Sequence, residues 1–382
     1  MSRQTATEHA RRVIVKIGTG VLTAPSGGFD RRRFEELCGE LARVAAAREL
    51  VIVSSGAVAL GVERLGLKSR PREIPAKQAA AAVGQCRLMR LYDDALGQHG
   101  LTVAQVLLTH ADIQSRTRYL NARHALENLV DERAVPIINE NDTVSVEELK
   151  FGDNDTLAGM TVDLVGADLL VILTDIDGVY TADPRVDPAA KKLEELPGID
   201  DAALATAGGA GSAQGTGGMA SKLRAARRAG ESGVPTIIAP GRVSRVLDDV
   251  MGGLPIGTYI AAPGGRSTGR KRWIARDLAR RGELRVDAGA VRAIVELNKS
   301  LLPSGLKEVR GLFAEGEAVD ICDLGGNPVA RGLAGYSSDD LRRIAGVRSA
   351  DIEGILGYKY LDEAVHRDDL VVIAPTEGAS GS

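Results

Sequence analysis

The sequence predicts an α/β chain built on a mainly parallel sheet covered by helices, followed by a small β-rich module. Three observations lead there. Short aliphatic runs alternate with amphipathic stretches through the first two thirds. Polar, glycine-containing clusters follow the aliphatic runs. Past residue 281 the texture changes to short, turn-separated strand-like segments.

The elements follow in order. Arg12 to Ile17, Leu50 to Val53, Thr102 to Leu108, Val135 to Ile138, Leu169 to Leu173 and Thr236 to Ile238 each read as buried strands. Between the first two, Asp30 is placed to cap a helix whose Phe34, Leu37, Leu41 and Val44 recur on one face. Further helices are expected over Ala57 to Leu65, over Thr156 to Val165 and after the glycine loop ending at Gly218. Strand, helix and strand in repetition imply parallel neighbours, which need crossover connections, and such sheets bind ligands beyond the strands' carboxyl ends.

Around Ala261 the pattern breaks. Pro263-Gly264-Gly265 leads into Arg266, Arg270, Lys271, Arg272, Arg276, Arg280 and Arg281 with Asp277 opposing, which reads as an exposed basic connector. Glu317 to Cys322, Pro328 to Leu333 and Leu370 to Ala374 then read as strands of a module of about a hundred residues. The division expected is a first domain over residues 1–262, a connector over 263–281, a second domain over 282–376 and a tail over 377–382.

Composition narrows the function. The chain's 382 residues imply more than one domain at about 150 residues each. At 44% hydrophobic and 26% charged residues it has the composition of a folded globular protein. A net charge of −3 gives no whole-chain attraction for polyanions, so any bound anion must be held locally. Cys38, Cys86 and Cys322 form no paired motif, which fits a reducing cytoplasm. Met1 to Arg12 lacks the apolar stretch of a secretory signal, and Leu164 to Thr174, interrupted by Asp168, is too short to span a bilayer. With 45 glycines and 3% aromatics, the chain has many points where backbone can approach a ligand closely.

Four polar clusters fall at the predicted strand ends: Lys16 to Gly20, Ser54 to Ala57, Asn139 to Asp142 and Thr174 to Gly178. At one edge of one sheet they imply one crevice. Gly215-Thr216-Gly217-Gly218-Met219-Ala220-Ser221-Lys222 feeds a helix and offers backbone N–H groups and a positive dipole end to a phosphate chain. It lacks the Walker spacing, and a low-complexity linker is the ordinary alternative. Lys16, within an aliphatic strand, is costly to bury without a partner; the alternative is an edge strand that lets it reach solvent. Together, Lys16 and Lys222 could bracket a transferring phosphoryl group. Asn139 to Asp142 and Gly152 to Asp155 could bind an ammonium group, orient a lysine or hold Mg²⁺ through water, or could cap helices. Ser55 could meet an anion or serve as an N-cap. The five histidines show no metal-ligand spacing, and no serine-nucleophile elbow is present.

Val15 to Thr19, Val53 to Ala57, Asn139 to Asp142, Gly152 to Asp155, Tyr180 to Arg185 and Gly215 to Leu223, in that order, resemble the glutamate-phosphorylating branch of the amino acid kinase family. Leu301 to Gly305, Leu341 to Gly346 and His366 to Asp369 resemble that branch's PUA extension. The resemblance implies an amino acid kinase fold followed by a PUA domain. It also implies ATP-dependent, Mg²⁺-assisted phosphorylation of the side-chain carboxylate of L-glutamate, the first step of proline biosynthesis. Under it, ATP would contact Lys16, Thr174, Asp175, Thr216, Gly217, Gly218, Met219, Ala220, Ser221 and Lys222. Glutamate would contact Ser55, Asp142 and Asn154, while Asp155 would organise the two lysines. By the same resemblance serine is expected after Gly18-Thr19, where this sequence has Gly20. Feedback by proline, a homo-oligomer and a following reductase are further implications.

Two rivals frame this expectation. Another member of the family could act on acetylglutamate, aspartate or a nucleoside monophosphate, but Asp142 suits a free α-ammonium group, which an acetylated amine lacks. A PUA resemblance also raises RNA binding; residues 282–382 hold 11 basic and 17 acidic residues, a net of −6 that opposes backbone-phosphate attraction.

Overall fold

The computed structural model describes residues 1–24, 28–145, 154–201, 203–204, 218–263 and 280–373. The chain divides into two compact units, Met1–Arg266 and Ser267–Ser382. In the first, α1 (Arg3–His9), β1 (Arg12–Ile17), α2 (Arg31–Ala47), β2 (Glu49–Ser54), α3 (Ala57–Arg64), α4 (Ile74–Gly97), β3 (Val103–Leu108), α5 (His110–Gln114), α6 (Arg116–Asp131) and β4 (Val135–Glu140) come first. They are followed by α7 (Asn154–Val165), β5 (Leu169–Thr174), β6 (Val179–Tyr180), β7 (Lys192–Leu193), β8 (Glu195–Leu196), α8 (Met219–Glu231), β9 (Thr236–Pro240), α9 (Val246–Met251) and β10 (Thr258–Ile260).

All six predicted strands are present. The main sheet has the order β3-β4-β2-β1-β5-β9-β10-β8, parallel except where β10 meets β9. From β1 the chain builds outward to β2 and then to β3 at the edge, inserts β4 between β3 and β2, and returns to place β5 on the other side of β1. That reversal opens a crevice at the carboxyl ends of β1 and β5.

Alternation along β1 assigns its faces. Val13, Val15 and Ile17 pack among Phe34, Leu37 and Leu41 of α2 on one side of the sheet. Ile14 faces the other layer, with Leu157 and Val162 of α7 and Leu223 of α8. Lys16 shares Ile14's face by strand periodicity. Asp30 caps α2 as expected, its Oδ1 accepting from the Arg33 backbone at 3.1 Å.

Two helix seams are set by glycine. A Cβ on Gly84 of α4 would lie 1.7 Å from the Ala57 carbonyl oxygen, and one on Gly61 of α3 would lie 1.7 Å from that of Ala80. The two helices therefore touch backbone to backbone beside β2's end. A Cβ on Gly159 of α7 would lie 3.0 Å from Cα of Ala225 on α8.

In the second unit, β11 (Gly282–Val286), α10 (Ala288–Val295), β12 (Leu306–Gly311), β13 (Ala318–Cys322), β14 (Pro328–Leu333), α11 (Ser338–Ile344), α12 (Ile352–Leu356) and β15 (Leu370–Val372) form a five-stranded sheet with helices. Its order is β12-β11-β13-β14-β15, with β11 and β13 parallel. Leu284, Val319, Ile321, Tyr336 and Leu341 form its core. Of the basic run, Arg280 pairs with Asp320 at 3.3 Å and Arg281 with Glu317 at 3.7 Å; residues 264–279 and the 377–382 tail lie outside the described residues.

Candidate active site

The four strand-end clusters meet. A cavity of about 700 Å³ at the carboxyl edge of the main sheet is lined by residues of each, among them Lys16, Gly18, Ser55, Asn139, Asp142, Thr174 and Asp175, together with Asn154 and Lys222. Two of its lining residues, Lys16 and Lys222, belong to a buried ion triad with Asp155. Lys16 is 3% exposed, Lys222 5% and Asp155 fully buried. Lys16 Nζ donates to Asp155 Oδ1, and Lys222 Nζ donates to Oδ2 at 3.0 Å. Ser221 Oγ donates to the same Oδ2 at 2.8 Å.

Each element contributes one piece. β1 lies between β2 and β5, so Lys16 has no route to solvent along a sheet edge and must find its counter-charge inside. Asp155 lies in the first turn of α7, where the helix dipole favours an anion. Lys222 lies in the first turn of α8, and the Gly159–Ala225 contact holds the two helices close enough for the triad. Burial pushes the Asp155 carboxyl up, but Lys16 and Lys222 outweigh it and hold the group below the usual carboxylate range.

The second strand end resolves an alternative. Ser55 does not cap α3: Gly56 holds the N-cap position at φ 112°, in the left-handed region that favours glycine. The Ser55 hydroxyl instead accepts from Asn154 Nδ2 at 2.9 Å. Asn154 is likewise no simple cap, since its Nδ2 also donates to the Ser54 carbonyl at 3.1 Å and to Asn139 Oδ1 at 3.0 Å.

Asp142 faces the cavity with a pKa pushed up to about 6, by burial first and by Glu140 second, with Arg70 opposing. On the other flank, Thr174 Oγ1 donates to Asp175 Oδ1 at 3.1 Å. A Cβ on Gly20 would approach the Asp175 carboxyl carbon to 3.1 Å, so a side chain at this position would crowd Asp175.

Thr216 and Gly217 lie outside the described residues, as do Gly152 and Asp153. Gly218 caps α8, and Met219, Ala220 and Ser221 form its first turn above the triad. Sequence reasoning missed Lys68 and Arg70 on the cavity wall and Gln85 behind it. The two cations lie in an irregular stretch between helices, with no motif around them. Gln85 was hidden in an alanine-rich helical run.

The described residues contain no helix long and apolar enough to cross a membrane. Residues 11–240 match the family model described as the amino acid kinase family, and residues 282–356 match the PUA domain model. The chain is 56% identical over 370 residues to glutamate 5-kinase of Myxococcus xanthus, covering 97% of this chain and 98% of that protein. It is 50% identical over 376 residues to glutamate 5-kinase of Anaeromyxobacter dehalogenans, covering 98% and 99% respectively. A solved UMP kinase from Bacillus anthracis aligns with 18% identity and a TM-score of 0.45 over 67% of this chain and 97% of its own.

Proposed function

The chain belongs to the amino acid kinase family, and from that premise we infer that it transfers the γ-phosphoryl group of ATP to the side-chain carboxylate of L-glutamate. The product is L-glutamyl 5-phosphate, and the reaction opens proline biosynthesis. The observation that carries this assignment is the 56% identity to a glutamate 5-kinase across nearly the whole of both chains.

The cavity's chemistry supports it. A glutamate side chain ionises near pH 4.3, so at neutral pH the nucleophile is already a carboxylate and needs no general base. What the reaction does need is two anions held in contact inside a partly desolvated cleft. Lys16 and Lys222 supply the positive charge, and Asp155 holds both ammonium groups at one point. As the bridging oxygen leaves the γ-phosphorus and a glutamate oxygen bonds to it, charge moves onto the leaving ADP, where fixed cations stabilise it.

We assign Lys222, Thr174, Asp175 and the Gly218 to Ser221 turn, with Thr216 and Gly217 before it, to ATP. Lys16 reaches the transferring group. Ser55 and Asn154 go to glutamate, with Asp142 on its α-ammonium group. Asp175 is a hard oxygen donor on the cavity wall and suits magnesium, which is commonly held by one or two carboxylates plus phosphate oxygens. Bound with the nucleotide, Mg²⁺ would neutralise phosphate charge.

The same reading extends to feedback by proline, assembly into a homo-oligomer and a reductase that consumes the reactive acyl phosphate. Cytoplasmic placement suits three free cysteines, two of them buried. RNA binding is disfavoured by the net charge of −6 over residues 282–382.

The test is ADP release by the purified chain with MgATP and, separately, glutamate, acetylglutamate, aspartate or UMP, with hydroxylamine added to trap acyl phosphate. ADP and hydroxamate with free glutamate are expected. Turnover on another acceptor in preference to glutamate, or ADP without hydroxamate, would refute the assignment.

A further inference from the structure

A chain of three side-chain amides runs from α4 into the cavity wall. Gln85 on α4 is 9% exposed, and Asn139 at the end of β4 is 3% exposed. Gln85 Oε1 accepts from Asn139 Nδ2 at 2.8 Å. Asn139 Oδ1 accepts in turn from the Glu140 backbone at 2.9 Å and from Asn154 Nδ2 at 3.0 Å. The same Asn154 nitrogen donates to Ser55 Oγ at 2.9 Å. Each of these four bonds joins an N–H donor to an acceptor oxygen, which sets the direction of each amide, while Gln85 Nε2 and Asn154 Oδ1 are buried without a partner among the described residues.

Gln85 has one polar task here. Its Nε2 is buried without a hydrogen-bond partner among the described residues, so only its acceptor oxygen is used, and it is used on Asn139. Gln85 is brought to this point by the glycine before it, because Gly84 lets α4 press on the first turn of α3 beside Ser55. Removal of the acceptor would leave the Asn139 amide nitrogen buried and unpaired. An unpaired buried donor is costly enough to drive a side chain to rotate toward another acceptor. Rotation of Asn139 would withdraw Oδ1 from Asn154 and loosen the pair formed by Asn154 and Ser55.

We propose that Gln85 is a positioning residue for the acceptor amino acid, acting through Asn139 to hold Asn154 and Ser55 in place. The proposal rests on the assignment of those two residues to glutamate. It makes the binding of one substrate, and not the other, depend on a side chain that lies outside the cavity lining.

The experiment compares KM for glutamate and for ATP in the full-length wild type, Gln85→Met, Gln85→Glu and Asn139→Ala, with thermal unfolding of each. Methionine keeps the volume and loses the acceptor; glutamate keeps an acceptor oxygen. Gln85→Met and Asn139→Ala are expected to raise the glutamate KM about tenfold while the ATP KM stays within about twofold. Gln85→Glu is expected to return the glutamate KM to within about threefold of wild type. Should Gln85→Met not fold, Asn139→Ala and Gln85→Glu still decide. The proposal is overturned if both KM values rise together, if the glutamate KM does not move, or if Gln85→Glu is as impaired as Gln85→Met. A wild type inactive on glutamate overturns the functional assignment itself, and this proposal with it, before any variant is compared.

Discussion

Replacement of Asp155 by asparagine tests the centre of the site. The substitution keeps shape and removes one negative charge from a fully buried position between two lysines. One carboxylate oxygen becomes an amide donor that faces an ammonium group, and the cluster's net charge rises from +1 to +2. Breaking a buried ion pair by removing one partner costs about 3–5 kcal/mol, against a total stability of about 5–15 kcal/mol for a typical domain. For a unit of this size that predicts a fall in melting temperature of roughly 6–20 °C. Displacement of the lysine tips by about 1 Å is enough to lower turnover about a hundredfold. Scanning fluorimetry with and without ATP separates the electrostatic account from simple loosening. The triphosphate supplies the missing negative charge, so ATP should raise the variant's melting temperature by more than it raises that of wild type. Lys222→Met gives the contrast: it leaves Lys16 and Asp155 paired, so stability falls less while turnover falls as far. Asp155→Asn melting within about 2 °C of wild type, or turning over within about threefold of it, would refute the reasoning.

Two further outcomes follow from named contacts. Asp142, with a pKa of about 6, should lose its hold on an ammonium group as pH falls, so the glutamate KM should rise about tenfold between pH 8 and pH 5. Asp142→Asn should flatten that profile at the high value; a wild-type KM constant over this range would remove Asp142 from ammonium binding. The stability sign is opposite, because a carboxyl raised above its unfolded value of 3.8 destabilises the fold when ionised, so Asp142→Asn should melt higher than wild type at pH 8. Gly159→Ala should push α8 away from α7, since the new Cβ would meet Ala225 Cα and O at 3.0 Å, and turnover should fall about tenfold. An alanine that only raised helix stability, with turnover unchanged, would show that the seam does not set the Lys222 position.

Much of the first unit is written in local pattern. The strand runs of β1 and β5 are aliphatic enough to be read without context, and Asp30 with its periodic helix needed only spacing. The triad was legible in its members but not in its contacts. Lys16 looks the same in sequence whether β1 is an edge or a central strand, and only the return of β5 to β1's open side decides which. Ser55 followed by a helical run satisfied the pattern of a serine cap, yet the left-handed φ of Gly56 moved the cap one residue on and released the hydroxyl to Asn154. β8 and β10 were missed because two- and three-residue strands carry no periodicity. Arg70 and Gln85 gave no signal at all, since their relevance arises from residues 72 and 54 positions away in sequence, Asp142 and Asn139.

The triad also explains how a cavity built for anions can exist before any anion arrives. Two buried ammonium groups side by side repel each other and have lost their water, which alone would favour unfolding. Asp155 counters both effects from beneath the cavity, with Ser221 donating to the same oxygen that Lys222 meets. Among the described residues of the triad one carboxylate meets two lysines, and both lysines line the cavity where phosphate would lie. Asp155 therefore lets two buried lysines persist without ligand while both keep a place on the cavity wall, where they can draw an anion in.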